Sequence, residues 1–373
     1  MDKHLHIICH DVPYPVDYGG VFDLFHKIRC LHAEGIKIHL HCFEYGRGEQ
    51  PELETYCATV RYYKRVTGLR GFSYRLPYIV SSRKSATLIQ NLLEDNYPIL
   101  MEGIHCSHLA IDERFKDRKL ILRLHNVEYS YYQGLAKTTS SVFKKIYYTY
   151  ESRVLCNYEK RIAKKVIILP VSENDLDTYQ KQFHADRIFF LPVFLPYEAV
   201  SSKEGTGSFC LYHGNLAVSE NEKAVLWLLE NVLDNHKIPF VITGKNPSKL
   251  VKKAVASNPH GCLVANPTEN ELQDLISKAQ IHVLPSVNTT GIKLKLLNAL
   301  FNGRHCVVSN ASLPGNMLAN ECHVANDADT FKRILSRLFR QPFTQEAVTQ
   351  RKSSLEGMYN NQKNARQLIQ WIW

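Results

Sequence analysis

No run in this 373-residue chain is apolar for long enough to form a membrane-spanning helix. The first ten residues, Met1 to His10, lack the apolar core of a secretory leader, so a cytoplasmic protein is expected. The ten cysteines contain no Cys-x-x-Cys, and their irregular spacing gives neither a disulfide framework nor a zinc knuckle. Several sit inside apolar runs, where a thiol behaves as a small hydrophobe. No complete G-x-G-x-x-G fingerprint occurs, nor any zinc-finger, RNP or recognition-helix pattern. Acidic residues are outnumbered by basic ones, 36 to 46, for a formal charge of +10. That balance suits nucleic acid, an anionic membrane surface or phosphate-bearing substrates; nucleic acid rests on charge alone and is not expected.

What is present, with 45% hydrophobic residues, suffices for two domains with separate cores. Residues 4–10 alternate as a strand, 11–20 form a turn-rich loop, and a helix runs from about Val21 to Glu34 with Phe22, Phe25, Ile28 and Leu31 on one face. A second strand over 36–43 completes the opening unit of a doubly wound parallel sheet. Gly19 and Gly20 stand at the helix entry, as a turn or facing a ligand. A strand over 60–64, a loop over 68–78 carrying Arg70 and Arg75, a helix over 85–96 and a short strand over 99–102 follow. Glu102, His105 and His108 are spaced closely enough for a metal, but a helix-start carboxylate beside two ordinary histidines is the preferred reading.

The strand at 119–124 runs into His125-Asn126-Val127-Glu128, at the carboxyl end of a strand, where open α/β sheets bind ligands. Residues 129–165 read as helical, aromatic and basic, with Tyr131, Tyr132, Phe143, Tyr147, Tyr148 and Tyr150 among Lys144, Lys145, Arg153 and Lys160. Such a composition fits a solvated face or a helix lying on a membrane. Three prolines and a Ser/Gly-rich run mark 191–207 as a linker. Beyond it, a strand ends at Gly214-Asn215, another opens into Gly244-Lys245, and the stretch Val283 to Ser309 reads as strand, loop, helix and strand. In that stretch a helix starting near Gly291 would aim its N–H groups and dipole at an anion, with Ser286, Thr289, Thr290 and Gly291 allowing close approach. Lys293 and Lys295 in its first turn oppose the dipole, which a bound phosphate would explain.

Gly291-Ile292-Lys293-Leu294-Lys295-Leu296-Leu297-Asn298-Ala299 resembles the donor-site segment of retaining GT-B glycosyltransferases of family 4 (group 1). The resemblance implies two facing Rossmann-like α/β domains with a cleft between them, and a terminal helix crossing back to the first domain. The domains would be 1–190 on the acceptor side and 208–355 for the donor, with 356–373 as that helix. It further implies a metal-independent transfer, with retention, from a UDP- or GDP-sugar to a saccharide or lipid-linked glycan, in polysaccharide biosynthesis. The donor would be bound by Gly214, Asn215, Gly244, Lys245, Thr290, Gly291, Ile292, Lys293, Lys295 and Asn298. His125 would meet the transferred sugar, and Gly19, Gly20, Asn126 and Glu128 would line the cleft. Asn298 and Thr290 stand where the family usually has Glu, and Asn215 where an Arg is common. These departures keep two alternatives open, a decayed nucleotide-sugar-binding or partner protein and a sugar-nucleotide epimerase. No carboxylate pair at glycosidase spacing is identifiable, which favours transfer over hydrolysis. The protein is expected in the cytoplasm, with peripheral contact at the inner membrane face through 129–165.

Overall fold

A computed structural model describes residues 2–16, 19–44, 46–234 and 237–373. Asp17 and Tyr18 of the loop read at 11–20 lie outside the described residues. The chain divides into two units, Met1–Pro196 with Tyr359–Trp373, and Tyr197–Met358.

In the first unit six parallel strands, β1 (His4–Cys9), β2 (Lys37–Glu44), β3 (Thr59–Lys64), β4 (Ile99–Glu102), β5 (Leu120–Leu124) and β6 (Ile167–Pro170), pair in the order β3-β2-β1-β4-β5-β6. β1, β4, β5 and β6 are almost wholly buried, as their near-continuous apolar runs require of a sheet covered on both faces. The covering helices are α1 (Gly19–Ala33), α2 (Tyr78–Ser81), α3 (Ala86–Leu92), α4 (Glu128–Thr138), α5 (Val142–Ile162) and α6 (Glu173–Phe183). The stretch 129–165, read as helical, forms two helices, α4 and α5. Thr139 is extended, and Ser141, extended in its turn, caps α5 by accepting from Lys144 N–H.

The second unit repeats the plan. β7 (Cys210–His213), β8 (Phe240–Gly244), β9 (Gly261–Ala265), β10 (Ile281–Leu284), β11 (His305–Val308) and β12 (His323–Val324) pair in the order β12-β11-β10-β7-β8-β9. Counted from each unit's first strand, both sheets have the order 3-2-1-4-5-6, so the direction of winding reverses between β1 and β4 and between β7 and β10. The helices are α7 (Ser219–Trp227), α8 (Lys249–Ala256), α9 (Glu269–Lys278), α10 (Leu294–Asn302), α11 (Ala328–Leu338) and α12 (Gln345–Leu355). The last helix, α13 (Asn361–Ile372), belongs to the first unit. Its Ala365, Leu368 and Ile372 share a core with Leu24, Ile28 and Leu31 of α1, while Trp371 stacks on Phe189 at 5.1 Å.

Pro196 divides the stretch read as a linker: 191–196 lie in the first unit and 197–207 in the second. Neither piece is free chain. Leu191, Val193, Phe194 and Leu195 are buried, and so are Val200 and Ser202.

Candidate functional site

In the first unit the carboxyl ends of β4 and β5 carry a fully buried charge cluster. Lys27 of α1 places Nζ 2.9 Å from Asp23 Oδ2 and 2.8 Å from Glu102 Oε1. Arg123 donates from Nε and Nη2 to the two oxygens of Asp23, both at 2.9 Å, and from Nη1 to the Leu191 carbonyl at 2.6 Å. Phe194 N–H also donates to Asp23, at 2.8 Å. Two carboxylates and two cations cancel, and the bidentate Arg–Asp pair satisfies the geometry that makes such burial tolerable. Burial alone would raise the carboxyls of Asp23 and Glu102, yet Arg123 and Lys27 hold Asp23 well below the usual range, and Lys27 with His125 holds Glu102 below it. Asp23, Glu102 and His125 also bring three metal-type ligand atoms within 4.8 Å of one another. The Lys27 ammonium hydrogen-bonds Asp23, forms an ion pair with Glu102 and occupies the cation's place. Glu102, read with His105 and His108 as a helix-start carboxylate, thus has its partners on α1 and after β5.

His125 Nε2 lies 3.0 Å from Glu102 Oε2. The carboxylate accepts, so in the neutral imidazole Nε2 carries the proton and Nδ1 is an acceptor. Nδ1 makes no hydrogen bond among the described residues, and the side chain is partly open, 18% exposed. His10, after β1, and His105, after β4, complete a group of rings: His10 lies 5.2 Å from His105 and 6.2 Å from His125, centroid to centroid. Burial pushes His10 down to about 3 and His105 well below its ordinary value, so both are neutral.

Of the other residues read here, Gly19 and Gly20 are the first two residues of α1, and Glu128 is the first of α4. Glu128 is buried and its carboxyl is raised to about 7, mainly by desolvation. Beneath it Glu159 of α5 accepts from the Glu128 and Tyr129 N–H groups at 3.0 and 2.9 Å and from the Tyr179 hydroxyl at 2.9 Å, so it caps α4 from another helix. Burial pushes Glu159 up to about 8.

In the second unit the winding reversal between β7 and β10 gathers Gly214, Asn215, Ser286, Thr290, Gly291 and the start of α10. That helix begins at Leu294, three residues later than the sequence suggested. Gly291 has φ of 64°, a left-handed turn that glycine adopts without strain, and Lys293 is still extended. Asn288 Oδ1 holds the preceding loop by accepting from Thr290 N–H and Oγ1, both at 3.0 Å. Lys293 Nζ folds back to the Thr290 carbonyl at 2.8 Å. Lys293 is the N-cap and gives α10 no side-chain acceptor; its carbonyl accepts from Leu296 N–H at 2.8 Å, and the Leu294 and Lys295 N–H groups of the first turn stay open to an anion.

Lys295 reaches the other way. Its Nζ donates to Asn221 Oδ1 at 2.8 Å and Tyr212 Oη at 3.1 Å, and lies 4.9 Å from the centre of the Tyr212 ring. A methyl on Gly214 would sit 3.7 Å from the Lys295 Cδ, so the lysine stem runs beside that loop. Among the described residues Lys295 makes no ion pair; burial lowers it to about 8. Glu220, the nearest source of negative charge to it, is bonded instead by Ser286 Oγ at 2.5 Å. Asn221 Nδ2 ties the loop by donating to the Asn215 carbonyl at 2.9 Å. Gly244 closes the floor: a Cβ there would stand 1.8 Å from the Gly214 carbonyl oxygen. Lys245 is exposed, and its carbonyl accepts from Leu216 N–H. Ile292 is half-buried. Asn298 is buried, and its amide oxygen accepts from Asn302 at 2.8 Å, one turn further along the helix.

Residues 208–341 match the family model described as "Glycosyl transferases group 1". This part of the chain is a group 1 glycosyl transferase domain. A similar protein is an uncharacterized 44.6 kDa protein in the cps region of Klebsiella pneumoniae, 26% identical over 346 residues, or 88% of each chain. Among solved structures, sucrose-phosphate synthase from Thermosynechococcus elongatus superposes with a TM-score of 0.73 at 13% identity, covering 99% of this chain and 98% of that one. Anabaena HepE in complex with UDP and glucose gives a TM-score of 0.61 at 11% identity, covering 98% and 95%. Such low identities speak to fold, and the fold is GT-B with two Rossmann-like units. With the domain match, the chain is a glycosyltransferase.

Asp23, Lys27 and Arg123 were not read from the sequence. The signals were an Asp-x-x-x-Lys pair inside an amphipathic helix and one arginine inside the apolar strand Leu-Ile-Leu-Arg-Leu.

Proposed function

We propose that the protein transfers a sugar from a UDP- or GDP-sugar to a saccharide or lipid-linked glycan, with retention and without a metal. The observation that carries this reading is Lys295, a half-buried ammonium without a carboxylate partner beside the Gly214 loop and the open Leu294 and Lys295 N–H groups of α10. A leaving diphosphate needs negative charge stabilised as the glycosidic bond breaks, and a fixed cation with backbone N–H groups supplies that without a metal. Gly291 and Gly244 let the backbone come close, and Lys245 and Lys293 stand at the rim. On the first unit, His125 offers Nδ1 to a hydroxyl of the reacting sugar. The similarity to a protein of a cps region supports polysaccharide biosynthesis as the setting.

The side chains of Asn215, Thr290 and Asn298 accept or donate within their own segments, to Ala217, Asn288 and Asn302. This favours, as the second reading, a protein that binds the nucleotide sugar without turning it over. The experiment is in two steps. Thermal shift with UDP, GDP and ADP tests the site; incubation of the matching nucleotide sugars with glycan acceptors, with and without EDTA, followed by NMR of the product anomer, tests transfer, retention and metal independence. Failure of all three nucleotides to bind overturns both readings. Binding without transfer or donor hydrolysis leaves the second, and epimerised donor would identify a sugar-nucleotide epimerase.

A further inference from the structure

The first unit carries an exposed apolar crest ringed by positive charge. On α5, Val142, Phe143 and Ile146 are 68, 87 and 64% exposed, and Tyr150 follows one turn later at 39%. At 3.6 residues per turn these four fall within an arc of about 100°. The buried residues Glu151, Ser152, Leu155, Tyr158 and Glu159 face the other way. A second exposed group comes from the loop after β3, where Leu69 is 93% and Tyr74 84% exposed. That loop is tied to α5 at its end: Tyr78 N–H donates to Glu151 Oε2 at 3.1 Å, and the Tyr78 hydroxyl accepts from Gly68 N–H, beside Leu69, at 2.9 Å. Phe143 and Ile146 lie roughly 8–12 Å along the helix from that bond.

Exposed apolar side chains in such number mark a surface that meets something. The charge around them says what. From Lys64 to Leu93 there is no acidic residue, while Lys64, Arg65, Arg70, Arg75 and Lys84 are basic. From Tyr129 to Tyr150 there is again none, and Lys137, Lys144 and Lys145 are basic. A hollow of about 720 Å³ at the foot of the loop is lined by Arg75, Lys84 and Arg161 over Leu76, Ile89 and Ile111, with Asp112, Glu113 and Arg114 on its wall, Arg114 paired with Asp112. Among the described residues, Arg75, Lys84 and Arg161 make no ion pair. Apolar tips set among lysines and arginines complement anionic headgroups above hydrocarbon. No helix of the described residues is long and apolar enough to cross a membrane, so the contact is with its surface.

We propose that Val142, Phe143 and Ile146 of α5, with Leu69 and Tyr74, dock this protein on an anionic lipid bilayer, the flanking lysines and arginines taking the headgroups. This goes beyond the transfer reaction, and the nucleotide-binding test above is independent of it.

The test is flotation of the full chain with vesicles of phosphatidylcholine alone and of phosphatidylcholine with phosphatidylglycerol. The protein should float only with the anionic vesicles, and less so as salt is raised. Phe143→Glu/Ile146→Glu and, separately, Lys144→Glu/Lys145→Glu should each weaken binding roughly tenfold or more. Their melting temperatures should stay at the wild-type value, since these side chains are open to solvent. Phe143→Trp should shift its emission to the blue on adding anionic vesicles. Absence of flotation overturns the proposal, and so does binding that the two double variants leave unchanged. A dimer in sedimentation that Phe143→Glu/Ile146→Glu dissociates, with no vesicle binding by the wild type, would assign the crest to a second copy instead.

Discussion

Glu102 Oε2 lies 3.0 Å from His125 Nε2, and this bond decides which nitrogen of His125 faces outward as an acceptor. In the proposed reaction a histidine held this way would meet the reacting sugar rather than the nucleotide. His125→Ala should leave nucleoside diphosphate affinity unchanged within about twofold while lowering transfer by roughly a hundredfold or more. Isothermal titration with UDP or GDP, set beside turnover with the matching donor, measures both. An equal loss in binding and turnover would place His125 elsewhere.

The same carboxylate is a structural counter-ion. Glu102→Gln leaves Lys27 and Arg123 sharing the single charge of Asp23 in a cluster shut off from water. One uncompensated buried cation should cost about 3 kcal/mol of stability, read as a lower denaturation midpoint in urea. In the wild type the carboxyls of Asp23 and Glu102 are held below their unfolded values, so their stabilisation is present above about pH 4 and lost as pH falls further. Glu102→Gln should therefore narrow its gap to wild type as the solution is made more acid.

All strands but the two-residue β12 were legible because they are apolar runs bounded by turn residues, and parallel order follows from strand and helix alternating. The loops gathered at the reversal between β7 and β10 were legible as Gly214, Gly244 and the Gly291 segment. Less legible was where α10 begins: helical spacing runs back to Ile292, but the left-handed turn at Gly291 and the extended Lys293 delay the first helical residue to Leu294. The role of Lys295 depends on Tyr212 and Asn221, 83 and 74 residues away in sequence, and no local pattern joins them. The charge cluster escaped for the same reason, since Asp23 and Arg123 are 100 residues apart.

Burial lowers Lys295 to about 8, against about 10.4 for a free lysine. A diphosphate would bind the ammonium form, so binding above pH 8 should take up a proton. The dissociation constant for UDP or GDP should rise roughly tenfold from pH 7 to pH 9, as the lysine loses its charge in the free protein. Titration calorimetry in two buffers of different ionisation enthalpy measures the proton uptake. Lys295→Met should bind more weakly at pH 7 and show no such rise.

Gly244 and Gly134 make opposite predictions. A methyl at Gly244 meets the Gly214 carbonyl oxygen at 1.8 Å, whereas one at Gly134, inside α4, has nothing within 4 Å. Gly244→Ala must push the two loops apart, costing about 1–3 kcal/mol and weakening nucleotide binding. Gly134→Ala should raise stability by about 0.5–1 kcal/mol, the gain of alanine over glycine in a helix interior. Thermal melts of the two variants separate a required glycine from an incidental one.

Glu159 gives a pH dependence of the other sign. Burial raises its carboxyl to about 8, above an unfolded value near 4.3. The folded state therefore holds a proton that the unfolded chain has lost, and the stabilisation, complete at low pH, drains away as pH rises through about 8. Its two oxygens accept from different N–H groups, those of Glu128 and Tyr129. Glu159→Gln would turn its amide nitrogen toward one of these donors, leaving it unsatisfied at a cost of about 1–3 kcal/mol. That cost does not change with pH, while the wild type weakens as Glu159 ionises. The melting temperature of Glu159→Gln should lie well below wild type at pH 5, and the two should converge toward pH 9. A constant gap across that range would mean that Glu159 is ionised throughout, stabilised by the three donors around it.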